Sequence, residues 1–173
     1  SSECAWRRRF GVAGGGGDCL ANLGHSGGGT VCRLDPTTGA FKTLHAFSDT
    51  DLGGCSSLAS LGEDTTATGV FYGTMAWCGA NGRGTVFKID VARNPSRNVT
   101  VLHSFTGAAD GADPAAPLII GLGGSLYGTA ASIGSGHGVG TIFKLNNDGT
   151  GFTTLNPFLW GLDGGNTAAG LVR

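Results

Sequence analysis

The chain has 173 residues, 34 of them Gly, and 11 Lys+Arg stand against 12 Asp+Glu for a net charge of −1. That length supports one ordinary domain, the balanced charge excludes the phosphate attraction on which nucleic-acid binders depend, and no apolar run approaches the ~20 residues of a membrane span. Glycine without the every-third spacing of collagen opposes helices, at on the order of 1 kcal/mol for each helical position, so short strands joined by tight turns are expected throughout.

Taken from the start, the chain opens on Ser1 and has Met75 as its only methionine, which reads as a processed or excerpted product. Arg7-Arg8-Arg9 is the single basic run and is expected to be a solvated segment. The first clear element is Gly29-Thr30-Val31-Cys32-Arg33-Leu34. It recurs as Gly84-Thr85-Val86-Phe87-Lys88-Ile89 and as Gly140-Thr141-Ile142-Phe143-Lys144-Leu145, at spacings of 55 and 56. A second element follows each copy: Leu44-His45-Ala46-Phe47, Leu102-His103-Ser104-Phe105 and Leu155-Asn156-Pro157-Phe158. A third precedes the later two copies, as Phe71-Tyr72-Gly73-Thr74 and Leu126-Tyr127-Gly128-Thr129, with Cys19-Leu20-Ala21-Asn22 as its degenerate counterpart in the first. A fourth opens each following unit at Ser56 to Leu61, Ala115 to Ile120 and Ala168 to Val172.

Four short segments separated by Gly, Asp, Asn or Pro predict an all-β chain of tandem four-stranded antiparallel units, propeller-blade-like, in a closed or open array. The units are 1–55 (degenerate), 56–114 and 115–167, with 168–173 as the first strand of a further unit or a strand donated to a neighbour. In the third strand, alternation places Thr85, Phe87 and Ile89 on one face and Val86 and Lys88 on the other. In the fourth, it places Val99, Val101, His103 and Phe105 together, with Leu102 opposite. Both faces are apolar, so a unit must stack on its neighbours. Closed propellers have four to eight blades, so three units predict either a longer array or association between chains, with the strand at 168–172 completing another molecule's first unit.

The ordered series Leu-Tyr-Gly-Thr, Gly-rich loop, Gly-Thr-Val-Phe-Lys, Leu-His-Ser-Phe and Asp-Gly-x-x-Pro resembles the GloVer tandem repeat of choice-of-anchor bacterial surface proteins. The stretch from Phe71 to Pro114 matches best and Leu126 to Leu171 follows, whereas the first copy has Cys32 where the others have Phe and lacks Tyr-Gly-Thr. The resemblance implies a secreted or surface-attached, propeller-like repeat protein.

Five cysteines and the sequon Asn98-Val99-Thr100 fit an extracellular or cell-surface setting, with Asn98 a glycosylation candidate. The odd count leaves one thiol over. Cys55 precedes the first strand of the second unit and Cys78 follows its second strand, so antiparallel neighbours bring them to one end and predict a Cys55–Cys78 bridge. Cys4–Cys19 is the corresponding pair in the first unit, and Cys32, at a core position, is expected to be a buried free thiol. No Cys-x-x-Cys occurs, which disfavours zinc.

His45 and His103 occupy equivalent places, as do His25 and His137 approximately, and Asn156 replaces the third-unit counterpart of the first pair. Catalysis needs one asymmetric constellation, and Asn keeps a hydrogen bond without titrating, so a structural bond is expected. Asp49 and Asp51, then Asp110 and Asp113, lie in Asp/Gly turns and are weak calcium candidates, since Asp-Gly is also ordinary turn chemistry and no full calcium loop is present. The Gly-rich loops lead into strands and lack Gly-Lys-Ser/Thr, which argues against a phosphate cradle. Trp77 sits in a loop and is the binding-surface candidate, for a glycan or surface protein. The chain is thus expected to be a non-enzymatic structural or assembly module without cofactor that self-associates as a homo-oligomer or filament. A monomeric propeller-like binding module is the alternative.

Overall fold

A computed structural model describes residues 10–13, 30–34, 37–46, 61–64, 66–77, 79–91, 99–132, 139–158 and 170–172. The described chain is all-β apart from one 3-10 turn at Leu122–Gly124. The strands are β1 (Phe10–Ala13), β2 (Thr30–Leu34), β3 (Phe41–Ala46), β4 (Gly62–Glu63), β5 (Val70–Met75), β6 (Thr85–Asp90), β7 (Val99–Ser104), β8 (Ile119–Ile120), β9 (Leu126–Ala130), β10 (Thr141–Leu145) and β11 (Thr153–Pro157). They form three antiparallel meanders, ordered β1-β2-β3, β4-β5-β6-β7 and β8-β9-β10-β11. No described strand pairing joins one meander to another, so the array is open.

Each recurring motif has a physical cause in this arrangement. The glycine of Tyr-Gly-Thr stands opposite the phenylalanine of the next strand, as Gly73 opposite Phe87 and Gly128 opposite Phe143. The ring lies across the bare backbone: a Cβ at Gly73 would fall 2.6 Å from Phe87 Cζ, and one at Gly128 would fall 2.5 Å from Phe143 Cζ. Glycine is therefore required by packing, and aromatic cover in turn replaces the side chain that glycine lacks. The adjacent pair is Tyr with Lys: Lys88 Nζ lies 5.9 Å from the Tyr72 ring centre and Lys144 Nζ 5.8 Å from that of Tyr127.

The same register corrects the expected second strand of the first unit. Phe10–Ala13, not Cys19–Asn22, holds that place, with Gly11 opposite Cys32 as Gly73 is opposite Phe87, and Phe10 opposite Arg33 as Tyr72 is opposite Lys88. Phe-Gly-Val-Ala keeps the aromatic and the glycine but loses the threonine. The first strand of the third unit is also shorter than expected. Ala115 to Leu118 are not strand, and pairing is confined to Ile119–Ile120, because Pro114 and Pro117 have no N–H to donate to a ladder. In the second unit β4 is Gly62–Glu63, and of the segment expected there, Ser56 to Leu61, residues 56–60 lie outside the described residues.

A further correction concerns the fourth strands. Each meander carries a register shift at its last pairing, between Val31 and Cys32, Val86 and Phe87, and Ile142 and Phe143. The partners jump from His45 to Thr43, from His103 to Val101 and from Asn156 to Thr154, so Leu44, Leu102 and Leu155 are each the extra residue of a β-bulge. One inserted residue reverses the side-chain alternation beyond it. Val99 and Val101, opposite Ile89 and Phe87, therefore face the first unit, while His103, opposite Val86, turns to the third.

The two faces build two cores. Phe71, Met75, Phe87 and Ile89 form one, and Leu44 of the first unit packs against it with Leu61, Val91 and Val99. The expected split of the third strand holds, because Val86 belongs to the other core, with Val70, Tyr72 and Phe105 of the second unit and Leu118, Leu126, Ala130, Phe143 and Leu145 of the third. Burying each such side chain contributes roughly 1.5–3 kcal/mol, and in the second core residues of two units share the burial. The first strands converge: a Cβ at Gly62 would lie 3.2 Å from the Leu118 carbonyl oxygen. Gly170 approaches its own chain similarly, with its Cβ position 3.3 Å from Pro117 Cδ, and Gly170–Val172 is not paired as a strand.

Candidate functional site

The densest set of polar and aromatic side chains lies where the second unit hands the chain to the third. The bulge at Leu102 delivers His103 to this boundary, and its ring stacks on Phe152 at a centroid distance of 3.8 Å and an interplanar angle of 10°. Phe105 meets the imidazole edge-on at 4.8 Å and 89°, and meets Phe143 at 5.2 Å and 68°. Phe152 and Phe105 thus flank the histidine and Phe143 packs against both of them, in the offset and edge-to-face geometries that aromatic quadrupoles favour.

The loop beyond Phe105 is tied by Asp110. Its carboxylate accepts the Thr106 N–H at 2.8 Å, the Thr106 hydroxyl at 2.5 Å and His103 Nε2–H at 3.2 Å. An ionised carboxylate only accepts, so Nε2 carries the proton of the neutral ring. Burial pushes the His103 pKa below its ordinary value, against the pull of Asp110. Burial also acts to raise the Asp110 pKa, but the two bonds from Thr106 and the one from His103 outweigh it and hold the carboxyl below the usual range. Hydroxyl and imidazole both point at the same carboxylate. The triplet ties the two ends of the loop to one carboxylate.

The third unit grips that loop from outside. The Thr154 hydroxyl donates to the Ala109 carbonyl at 2.9 Å and the Thr141 hydroxyl to the Asp110 carbonyl at 3.3 Å. Asp113 sits in the left-handed region at φ 55, its carboxylate accepting the Ser132 hydroxyl at 2.9 Å and its N–H donating to the Arg83 carbonyl at 3.0 Å. In the sequence Asn166 occupies the equivalent position, three residues after Asp163 as Asp113 follows Asp110, and Asp and Asn are the non-glycine residues that tolerate this backbone. Asp110 and Asp113, two of the four aspartates expected as weak calcium candidates, thus serve here as loop clasp and turn residue. Among the described residues no cluster of three or more His, Cys, Asp or Glu is placed to hold a metal ion.

A second network on the same boundary escaped sequence reasoning. Asp64 Oδ1 accepts the N–H of Thr66 at 2.8 Å, the Thr66 hydroxyl at 2.7 Å and the Ala67 N–H at 3.2 Å, while Oδ2 accepts the Tyr72 hydroxyl at 2.8 Å. Burial acts to raise the Asp64 pKa, but these four donors hold it low. The Tyr72 hydroxyl is raised far above its ordinary value, by burial first and then by the bond to Asp64 and its charge. Asn147, on the third unit's last hairpin, also bonds Tyr72. The threonine of the same motif reaches across as well: Thr74 donates to the Ala116 carbonyl at 3.0 Å. Asp-Thr-Thr at 64–66 was the available signal, as a side-chain-capped turn.

The remaining expectations divide. His45 is buried and stands opposite Val31 as His103 stands opposite Val86. Trp77 follows Tyr72 at the interval by which Ser132 follows Tyr127, and it is held at φ 58 with 65% of its surface exposed. Cys4, Cys19, Cys55, Cys78, Asp49, Asp51, Asn98, His25 and His137 lie outside the described residues, and so do the side-chain surroundings of Cys32. No described helix is long and apolar enough to cross a membrane.

A family model described as the Gloeobacter/Verrucomicrobia repeat matches residues 14–173. No curated protein matches the chain.

Proposed function

The chain belongs to the Gloeobacter/Verrucomicrobia repeat family, and from that premise we propose that it is a non-enzymatic extracellular or cell-surface repeat protein, a structural and assembly module that associates head to tail by strand addition. The observation that carries this is where the repeated residues are used. Tyr72, Thr74, His103, Phe105 and Asp110 all bond or pack toward the third unit, and Leu44 packs toward the second. Residues repeated to hold one unit on the next suit assembly.

Strand addition is supported by an edge. The first meander has three described strands and ends on Phe10–Ala13, which stands in the second-strand register, whereas the other two each have a first strand outside that position. Residues 168–172 repeat the first-strand sequence, and in a neighbouring molecule they would add beside Phe10–Ala13. Among the described residues no strand pairs with the outer edge of Phe10–Ala13, and a free edge is a site that proteins normally protect. Electron micrographs and size-exclusion at rising concentration test the proposal: concentration-dependent polymers are expected, and a stable small monomer overturns it. In the extracellular setting proposed, mass measurement without reductant shows Cys55–Cys78 and Cys4–Cys19 bridged, and the protein from its native source carries a glycan at Asn98.

Trp77 favours a second reading, a monomeric binding module for a glycan or surface protein, because a large aromatic is held in solvent by a backbone conformation that is costly for it. A glycan array probed with the chain and with Trp77→Ala decides it: binding lost in the variant supports it, and no binding by either removes it.

A further inference from the structure

The peptide bond between Asp113 and Pro114 lies where the second unit meets the third, and both residues are held from several sides. Asp113 stands at φ 55, although a residue before proline is ordinarily confined to extended backbone and only glycine enters the left-handed region freely. Its N–H donates to the Arg83 carbonyl at 3.0 Å, its carbonyl accepts the Ala131 N–H at 3.3 Å, and the preceding Ala112 is bridged to Ser132. Pro114 is buried against Gly84, where there is no room for a Cβ. Strain of this kind persists only where the surroundings over-determine it.

The Asp113 carboxylate is engaged on one side. Oδ2 accepts the Ser132 hydroxyl, whereas Oδ1 is buried and has no hydrogen-bond partner among the described residues. An unengaged carboxyl oxygen tethered next to its own main-chain carbonyl is a nucleophile held beside its electrophile. The Ala131 N–H lies on the carbonyl oxygen, where negative charge develops during such an attack. Pro114 supplies a tertiary amide nitrogen, a more basic leaving group than an ordinary peptide nitrogen. The equivalent pair in the third unit, Asn166-Thr167, has neither the acid nor the proline.

We propose that the Asp113–Pro114 bond is self-cleaving, a processing site built into the fold that divides the first two repeats from the third. In the acid form of Asp113, Oδ1 attacks the residue's own main-chain carbonyl carbon, the bond from that carbon to the Pro114 nitrogen breaks, and the carboxyl proton passes to the departing nitrogen. Water then opens the cyclic anhydride, which leaves two carboxyl groups on Asp113 and a secondary amine at Pro114. The event occurs once per chain without turnover, in keeping with a non-enzymatic protein. Among the described residues, the ionisable side chains of the elements packed against Asp113 are Arg83 on the loop before β6 and Asp110 on its own loop, the latter bonded to His103, and Ala130 to Ser132 bring none.

Intact-mass spectrometry of the whole chain, held from about pH 7 to about pH 4, tests this, with near-ultraviolet circular dichroism at each pH as the folding control. The native chain and the same chain in urea are compared at the lowest pH at which the fold persists. Expected is cleavage into 1–113 and 114–173 that quickens as pH falls. It should run at least about tenfold faster in the native chain than at either Asp-Pro bond in urea, Asp35-Pro36 being the other in the sequence. Asp113→Asn, which keeps an acceptor for Ser132 but lacks the acid, should stay folded and whole at this bond. Cleavage no faster in the native chain than in urea overturns the proposal and leaves ordinary acid lability. Undiminished cleavage of folded Asp113→Asn overturns it as well. The comparison of native and urea-unfolded parent needs no variant, and it decides alone if asparagine perturbs folding.

Discussion

The imidazole of His103 lies flat on the Phe152 ring, centroids 3.8 Å apart, across the boundary between the second and third repeats. A neutral ring suits this place because it is flanked by phenylalanines and bonded through one nitrogen only to Asp110. That aspartate is the charged group that acts on the ring, and burial still prevails in lowering the His103 pKa.

Stability should therefore depend on pH in two steps. A histidine depressed in the folded state contributes stability that is complete above its unfolded value of about 6.5 and is lost as pH falls toward the folded value. Asp64 and Asp110, also depressed, contribute stability that is present above about 3.8 and is lost as pH falls through their folded values. Thermal unfolding followed from pH 8 to pH 3 should show both declines. His103→Asn, the residue of the third unit, should flatten the first and leave the second. An unaltered first decline in that variant would exclude His103 as its source.

Tyr72 acts at the other end of the scale. Its raised hydroxyl pKa gives stability that is complete below the ordinary value of 10 and lost as pH rises beyond it. Tyr72→Phe should remove that alkaline loss. At pH 7 it should cost about 1–2 kcal/mol, because Asp64 loses one of its four donors while the ring stays in place. A double-mutant cycle with Asp64→Asn in urea measures the coupling.

Gly73→Ala and Gly128→Ala should each destabilise by about 1–3 kcal/mol, since the added methyl enters the volume of the Phe87 or Phe143 ring. Gly73→Ala combined with Phe87→Leu should recover part of the loss. Denaturant midpoints that fail to move for either glycine would mean the ring does not lie over it.

The aspartates of the connecting loop should separate by role. Asp110→Ala should cost about 1–3 kcal/mol, as it leaves the Thr106 and His103 donors unmatched, whereas Asp113→Asn should stay within about 0.5 kcal/mol because Asn accepts the same backbone. Millimolar calcium should leave both unfolding temperatures unchanged. A calcium-dependent rise abolished by Asp110→Ala would restore the metal reading.

Much of the fold was legible because it is written several times over. Three copies of Gly-Thr-x-x-Lys/Arg at near-constant spacing identify a unit that cannot bury itself, and alternation in β6 correctly divides Phe87 and Ile89 from Val86. The first unit was misread at its second strand because Phe10-Gly11-Val12-Ala13 retains only the aromatic and the glycine, the two positions that pair with Arg33 and Cys32. That register is visible only once the strands are paired. The Asp64 network was missed since its acceptor and its Tyr72 donor belong to different strands, and nothing local marks an aspartate as destined for a buried tyrosine.

The sequence by itself determined the all-β class, the four-segment rhythm and the need of each sheet for a neighbour, because these follow from glycine content and two-residue alternation, both local properties. Only the tertiary structure decided which neighbour each side chain meets. A single extra residue at Leu102 turns His103 and Phe105 from the first unit to the third, and whether an inserted residue bulges depends on the register of the strand beside it.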